Sequence, residues 1–194
     1  MLLLGQVPLN VVPLRCRLRA ISLHAGVPLQ SYVYEKILGN SRETLTSLRI
    51  EYLQEDSAIL PLVDFLATSP FPHLRHLTLD YPSVNEDTRK ALKHFPTVTH
   101  LTIFELSNTA WWAGAVAESN LDALEVLAFP YFYSTSDSAL RGLSLLINTP
   151  RDSRIRQLEF PALPAEELGT PLGCLFLEAC EERSVRVVCQ CGFV

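Results

Sequence analysis

The sequence predicts an α/β solenoid, a right-handed βα superhelix with a curved parallel sheet on its concave side and helices on its convex side. Three observations carry that expectation. Six segments share the spacing L-x-x-L-x-L, with apolar residues at the first, fourth and sixth positions: Leu18/Ile21/Leu23, Leu45/Leu48/Ile50, Leu74/Leu77/Leu79, Val98/Leu101/Ile103, Leu124/Leu127/Phe129 and Ile155/Leu158/Phe160. Their first positions, 18, 45, 74, 98, 124 and 155, stand 27, 29, 24, 26 and 31 residues apart, the period of one strand plus one helix. Between motifs the hydrophobic period switches from two to about 3.6 residues, the mark of a strand giving way to a helix. A weaker seventh copy, Val185/Val188, places Gln190 where its third apolar residue should be. No single unit can close a core on its own, so stacking on neighbours is obligatory.

Each helix has its own signals. In the second unit, Ile59, Leu62, Val63 and Leu66 fall on one helical face, Ser57 is the N-cap, and Ser69-Pro70-Phe71-Pro72 is the stop. Asn85 caps the next helix, where Glu86 and Asp87 suit the positive end of the dipole and Ala91, Leu92 and Phe95 turn inward until Pro96. A further helix is expected over Ala110–Ser119. Another spans Asp137–Ile147 and is ended by Asn148-Thr149-Pro150. The last lies within Leu172–Glu182, with Leu172, Leu175, Phe176 and Ala179 facing the core. Because a helix separates consecutive strands, those strands should pair in parallel. Residues 1–13 show no clear helix and form an irregular cap or a truncated start, so residues 1–194 are read as one domain of six to seven repeats.

Composition narrows the function. The 194 residues are 48% hydrophobic and 19% charged, enough to bury a continuous core. A formal charge of −5 offers no general attraction to phosphate backbones or membrane surfaces, so neither nucleic acid nor membrane is expected as a partner. No apolar run reaches the roughly 18 residues of a membrane span, and Met1-Leu-Leu-Leu-Gly lacks the basic start of a secretory signal. Five cysteines, an odd number, suit reduced thiols in the cytoplasm or nucleus.

Segments such as Phe71-Pro72-His73-Leu74-Arg75-His76-Leu77-Thr78-Leu79 and Phe95-Pro96-Thr97-Val98-Thr99-His100-Leu101-Thr102-Ile103 resemble the degenerate leucine-rich repeats of fungal F-box proteins. So does the closing helix-then-strand run from Glu178 to Val188. The resemblance covers about residues 14–194. It implies a leucine-rich repeat fold and a non-enzymatic protein-binding role as the substrate-recognition repeats of a ubiquitin ligase receptor, with a ligase adaptor as partner only where an F-box lies upstream. No F-box module is expected in this chain, so a free-standing repeat scaffold without ubiquitin chemistry is the alternative. Three residues after the third apolar position, where such repeats usually carry Asn or Cys, stand Gly26, Leu53, Pro82, Leu106, Phe132 and Leu163. Without an asparagine ladder, apolar packing is left to hold the turns.

Neighbours along a strand alternate sides, so the third and fifth motif positions should project from the concave sheet, and the two residues that follow each motif continue that surface. That places Arg49, Glu51, Tyr52, His76, Thr78, Asp80, Tyr81, His100, Thr102, Phe104, Tyr131, Gln157 and Glu159 on a candidate partner-binding surface. Tyr and Arg are the side chains that carry binding energy at protein interfaces. His76 and His100 occupy equivalent positions in adjacent strands, about 5 Å apart, with Asp80 the one nearby carboxylate; solvated histidines are the better account than a metal site. Cys174, Cys180, Cys189 and Cys191 miss the spacing of common zinc sites and are read as small buried residues, with a zinc or redox role as the lesser reading. Of Trp111 and Trp112, one ring should pack inward and the other outward. With no nucleophile elbow, phosphate loop, metalloprotease helix or paired catalytic carboxylates, no enzyme activity, cofactor or metal is expected.

Overall fold

The computed structural model describes residues 15–24, 31–51, 64–66, 68, 70–80, 86–104, 109–119, 121–130, 137–148, 154–161 and 168–189. Seven strands form one all-parallel sheet in chain order: β1 (Ala20–His24), β2 (Ser47–Glu51), β3 (His76–Asp80), β4 (His100–Phe104), β5 (Val126–Ala128), β6 (Gln157–Phe160) and β7 (Arg186–Cys189). The named helices are α1 (Ser31–Leu38), α2 (Glu86–Leu92), α3 (Thr109–Glu118), α4 (Asp137–Asn148) and α5 (Pro171–Glu182). Each of β1 to β6 starts at the third position of its motif, and equivalent positions face each other, as in Leu48↔Leu77 and Leu77↔Leu101.

Alternation sets the two faces of the sheet. Leu48, Leu77, Leu101, Leu127 and Leu158 are at most 1% exposed, while Arg49, Thr78, Thr102 and Glu159 are only half-buried. The first set joins helix residues such as Leu38, Leu92, Trp112, Leu143 and Phe176 in one core cluster. One face is therefore packed under the helices, and the other is open.

Helix boundaries follow their caps. Thr170 accepts a hydrogen bond from the Gly173 backbone N–H at 3.1 Å, with Pro171 opening α5, an N-cap followed by the residue whose missing N–H costs nothing there. At the other end the Val185 N–H donates to the Cys180 carbonyl and the Ser184 N–H to the Glu181 carbonyl. With Ser184 at φ 56, this is a Schellman stop built on a residue that is not glycine. Helices α3 and α4 pack so closely that a Cβ added to Gly142 would lie 2.8 Å from the Ala110 Cα.

Several expectations change. Helix α1, with Val33, Tyr34 and Leu38 buried, was not anticipated, although Val33, Tyr34, Ile37 and Leu38 recur at helical spacing. Leu175 faces outward, 58% exposed, rather than into the core, because Phe176, Ala179 and Cys180 already fill the inner stripe of α5. The seventh motif is one residue out of phase: Leu158 pairs with Val187 and Glu159 with Val188, so Val187 packs against the core cluster and Val188 lies on the open side. The left-handed turn at Ser184 starts the strand at Arg186 and accounts for the shift. Cys180 is buried, but Cys174 and Cys189 are exposed and all are free thiols; Cys191 lies outside the described residues. Trp112 is fully buried, whereas Trp111 is half-buried beneath the Arg89 guanidinium, 5.4 Å from its ring.

A backbone ladder ties the repeats together at the leading ends of the strands. Just ahead of the strands, the carbonyl of Thr46 accepts from the N–H groups of Arg75 and His76, and that of Arg75 from Thr99 and His100. The ladder continues through Thr99 to Glu125 and Val126, and through Glu125 to Arg156 and Gln157. Threonine hydroxyls reinforce it: Thr44 donates to the Leu18 carbonyl at 2.7 Å and Thr97 to the Leu74 carbonyl at 2.9 Å. Backbone groups at these edges are thereby satisfied without asparagine. The positions that lack it, along with Ser57, residues 59–63 and Asn85, lie outside the described residues.

Candidate functional site

Parallel register sets equivalent side chains about 5 Å apart, and on the open face this produces contacts between strands. At the third motif position, the rings of His76 of β3 and His100 of β4 lie against each other in a tilted arrangement, centroids 4.6 Å apart and planes 31° from parallel. Thr99 holds the second ring, its hydroxyl 2.8 Å from His100 Nδ1. Burial, and then the neighbouring His100, lower the His76 pKa from 6.5, since both effects disfavour a second positive charge.

Two positions further along, Arg49 of β2 spans three strands. Its Nη2 donates to Asp80 Oδ2 on β3 at 2.7 Å, its Nε lies 2.9 Å from Glu51 Oε1, and its guanidinium carbon stands 5.3 Å from the centre of the Phe104 ring on β4. Ser22 of β1 extends the group by donating to Glu51 Oε1 at 3.0 Å. Asp80 is only 7% exposed, and its second oxygen, Oδ1, is buried with no hydrogen-bond partner. A buried acceptor is costly without a donor, so this oxygen is the atom of the group with most to gain from one. Thr78 and Thr102 pair side by side between the two clusters.

Of the residues expected on this surface, Arg49, Glu51, His76, Thr78, Asp80, His100, Thr102 and Phe104 come together on β2 to β4. Gln157 and Glu159 do not join them. They sit on β6 and bond to each other along one strand, Gln157 Nε2 to Glu159 Oε1 at 2.6 Å. Tyr52, Tyr81 and Tyr131 lie outside the described residues. Two further residues take part, Ser22, which shares the fifth motif position with Arg49 but is not among the candidate site residues, and Thr99. Ser22 was legible from its equivalence to Arg49, whereas Thr99 acts sideways on its own neighbour and leaves no periodic signal.

Among the described residues no group of three or more His, Cys, Asp or Glu side chains is placed to hold a metal ion, and no helix is long and apolar enough to cross a membrane. Comparison with models of known protein families and with curated proteins gives no match.

Proposed function

We propose that the chain is a leucine-rich repeat solenoid whose open sheet face is its concave surface, and that it binds a protein partner there without catalysing a reaction. The observation that carries this reading is the group Arg49, Asp80, Glu51 and Phe104, assembled from β2, β3 and β4 and held by an ion pair of 2.7 Å. The group gathers charges of both signs and an aromatic ring on the open face, the side-chain chemistry that carries binding energy at protein interfaces. The partner-binding residues are Arg49, Glu51, His76, Thr78, Asp80, His100, Thr102 and Phe104.

The likeness to fungal F-box repeats supplies the setting, the substrate-holding arm of a ubiquitin ligase receptor in the cytoplasm or nucleus. A free-standing scaffold shares the surface and differs in lacking the adaptor. Site-specific photocrosslinking tests the surface. A benzophenone side chain at Thr78 or Thr102 should give a discrete protein adduct, while one at Leu145, 72% exposed on helix α4, should not. Adducts from Leu145 alone would overturn the reading. Co-purification of a ligase adaptor with the full-length gene product separates receptor from scaffold.

A further inference from the structure

We infer that the partner presents a basic side chain, Lys or Arg, which seats on Asp80 by displacing Arg49. The inference rests on the open face being the binding surface and names the chemistry that surface takes. Asp80 is an ionisable group more than nine-tenths buried, turned to the open side of β3 where it meets Arg49, and it uses only one of its two oxygens. A carboxylate oxygen that is buried away from protein donors gains from a donor brought to it, because an unmet buried acceptor is costly.

The surroundings select the sign of that donor. The cluster holds two carboxylates, Glu51 and Asp80, and one guanidinium, so an incoming anion would meet a net negative site. The ring of Phe104 already carries a guanidinium at 5.3 Å, the contact an aromatic face offers to a cation. Arg49 can move aside without losing its charge partner. Its Nε stays with Glu51 at 2.9 Å while Asp80 Oδ2 is released to accept from the guanidinium or ammonium that takes its place. Arg49 is thus a built-in occupant that a partner's cation replaces.

The sign of the Arg49 effect tests this directly. The isotope-labelled full chain is titrated with Nα-acetyl-arginine amide, Nα-acetyl-lysine amide, Nα-acetyl-glutamine amide and Nα-acetyl-glutamate amide, following backbone amide shifts of residues 78–80 and 102–104. The two cationic probes should give saturable shifts there and the other two none. Asp80→Asn should weaken arginine-probe binding about tenfold or more, the scale of one lost charged contact. Arg49→Gln should strengthen it, since the competing cation is gone. Equal shifts from the glutamate probe, unchanged binding by Asp80→Asn, or weaker binding by Arg49→Gln would each overturn the inference; the wild-type probe comparison stands even where a variant folds poorly. If Thr102 crosslinks persist in Asp80→Asn at full yield, the cation site falls and the concave surface stands. If no open-face position crosslinks, the surface itself fails.

Discussion

The open face of β1 to β4 and that of β5 to β7 are built on one backbone ladder and differ in how their side chains make contact. In the first region contacts run across strands: Arg49 to Asp80 and Phe104, His76 to His100, Ser22 to Glu51. In the second, Gln157 bonds to Glu159 within its own strand, and Ala128 and Pro130 leave a small hollow beside Glu159, Phe160 and Pro161. The second region is organised behind the sheet instead, where α3, α4 and α5 pack in succession and Gly142 sits against Ala110. Equal register thus permits a site without making one. Cross-strand partners of complementary chemistry make it.

The largest expected effect breaks the rear packing. Gly142→Ala places a methyl group against the Ala110 backbone and should cost about 2–3 kcal/mol by overpacking, measured by urea unfolding. Gly114, whose added Cβ would meet nothing within 4 Å, is the control, and Gly114→Ala should stabilise by up to about 1 kcal/mol from helix propensity. Equal destabilisation at both positions would show that the close approach is unimportant.

The next effect tests the front. A double-mutant cycle on Arg49→Gln and Asp80→Asn should give a coupling of about 1 kcal/mol, kept small because the Arg49 side chain is 43% exposed. The pair Gln157→Ala and Glu159→Ala should couple more weakly, and a reversed order would erase the contrast between the regions.

Tyr34 offers a third test. Its hydroxyl is fully buried without a partner, so Tyr34→Phe should stabilise by about 1 kcal/mol. Burial also raises the Tyr34 pKa from 10.0 to about 12, so the folded state binds this proton more tightly than the unfolded chain does. The contribution is complete below pH 10 and is lost as pH rises from 10 towards 12. Subtracting the Tyr34→Phe stability curve isolates it from Cys180, which burial raises to about 11.

Smaller still, Ser184→Gly should add about 0.5 kcal/mol by relieving a left-handed backbone, seen as a rise of a few degrees or less in Tm. The least costly change concerns charge at the site. The His76 titration midpoint, followed by proton NMR, should lie below 6.5 and move up in His100→Gln. Because the folded pKa is lowered, the His76 contribution is present above pH 6.5 and is lost as pH falls from there through the lower folded value.

How much was legible follows from which residues carry periodic signals. Leu77, Leu101 and Leu127 announce a covered sheet face because burial demands apolar side chains every second residue, and that alternation placed His76, Thr78 and Asp80 on the opposite side. Helix α1 is equally legible in Val33, Tyr34, Ile37 and Leu38, which recur at helical spacing. Val188 and Leu175 were misplaced because their neighbours also satisfy the pattern; a single left-handed residue, Ser184, decides the phase of β7, and nothing apolar marks it.

The sequence by itself determined the order of the strands, their parallel sense and which side chains of β2 to β6 leave the core, since those depend on local period and on short connections. Only the tertiary structure decided that Arg49 reaches over β3 to Phe104, that one oxygen of Asp80 is buried without a partner, and that the rings of His76 and His100 lie against each other. Those facts belong to distances between residues 24 to 55 positions apart, which no local period encodes, because they arise from which rotamers the neighbouring strands leave room for.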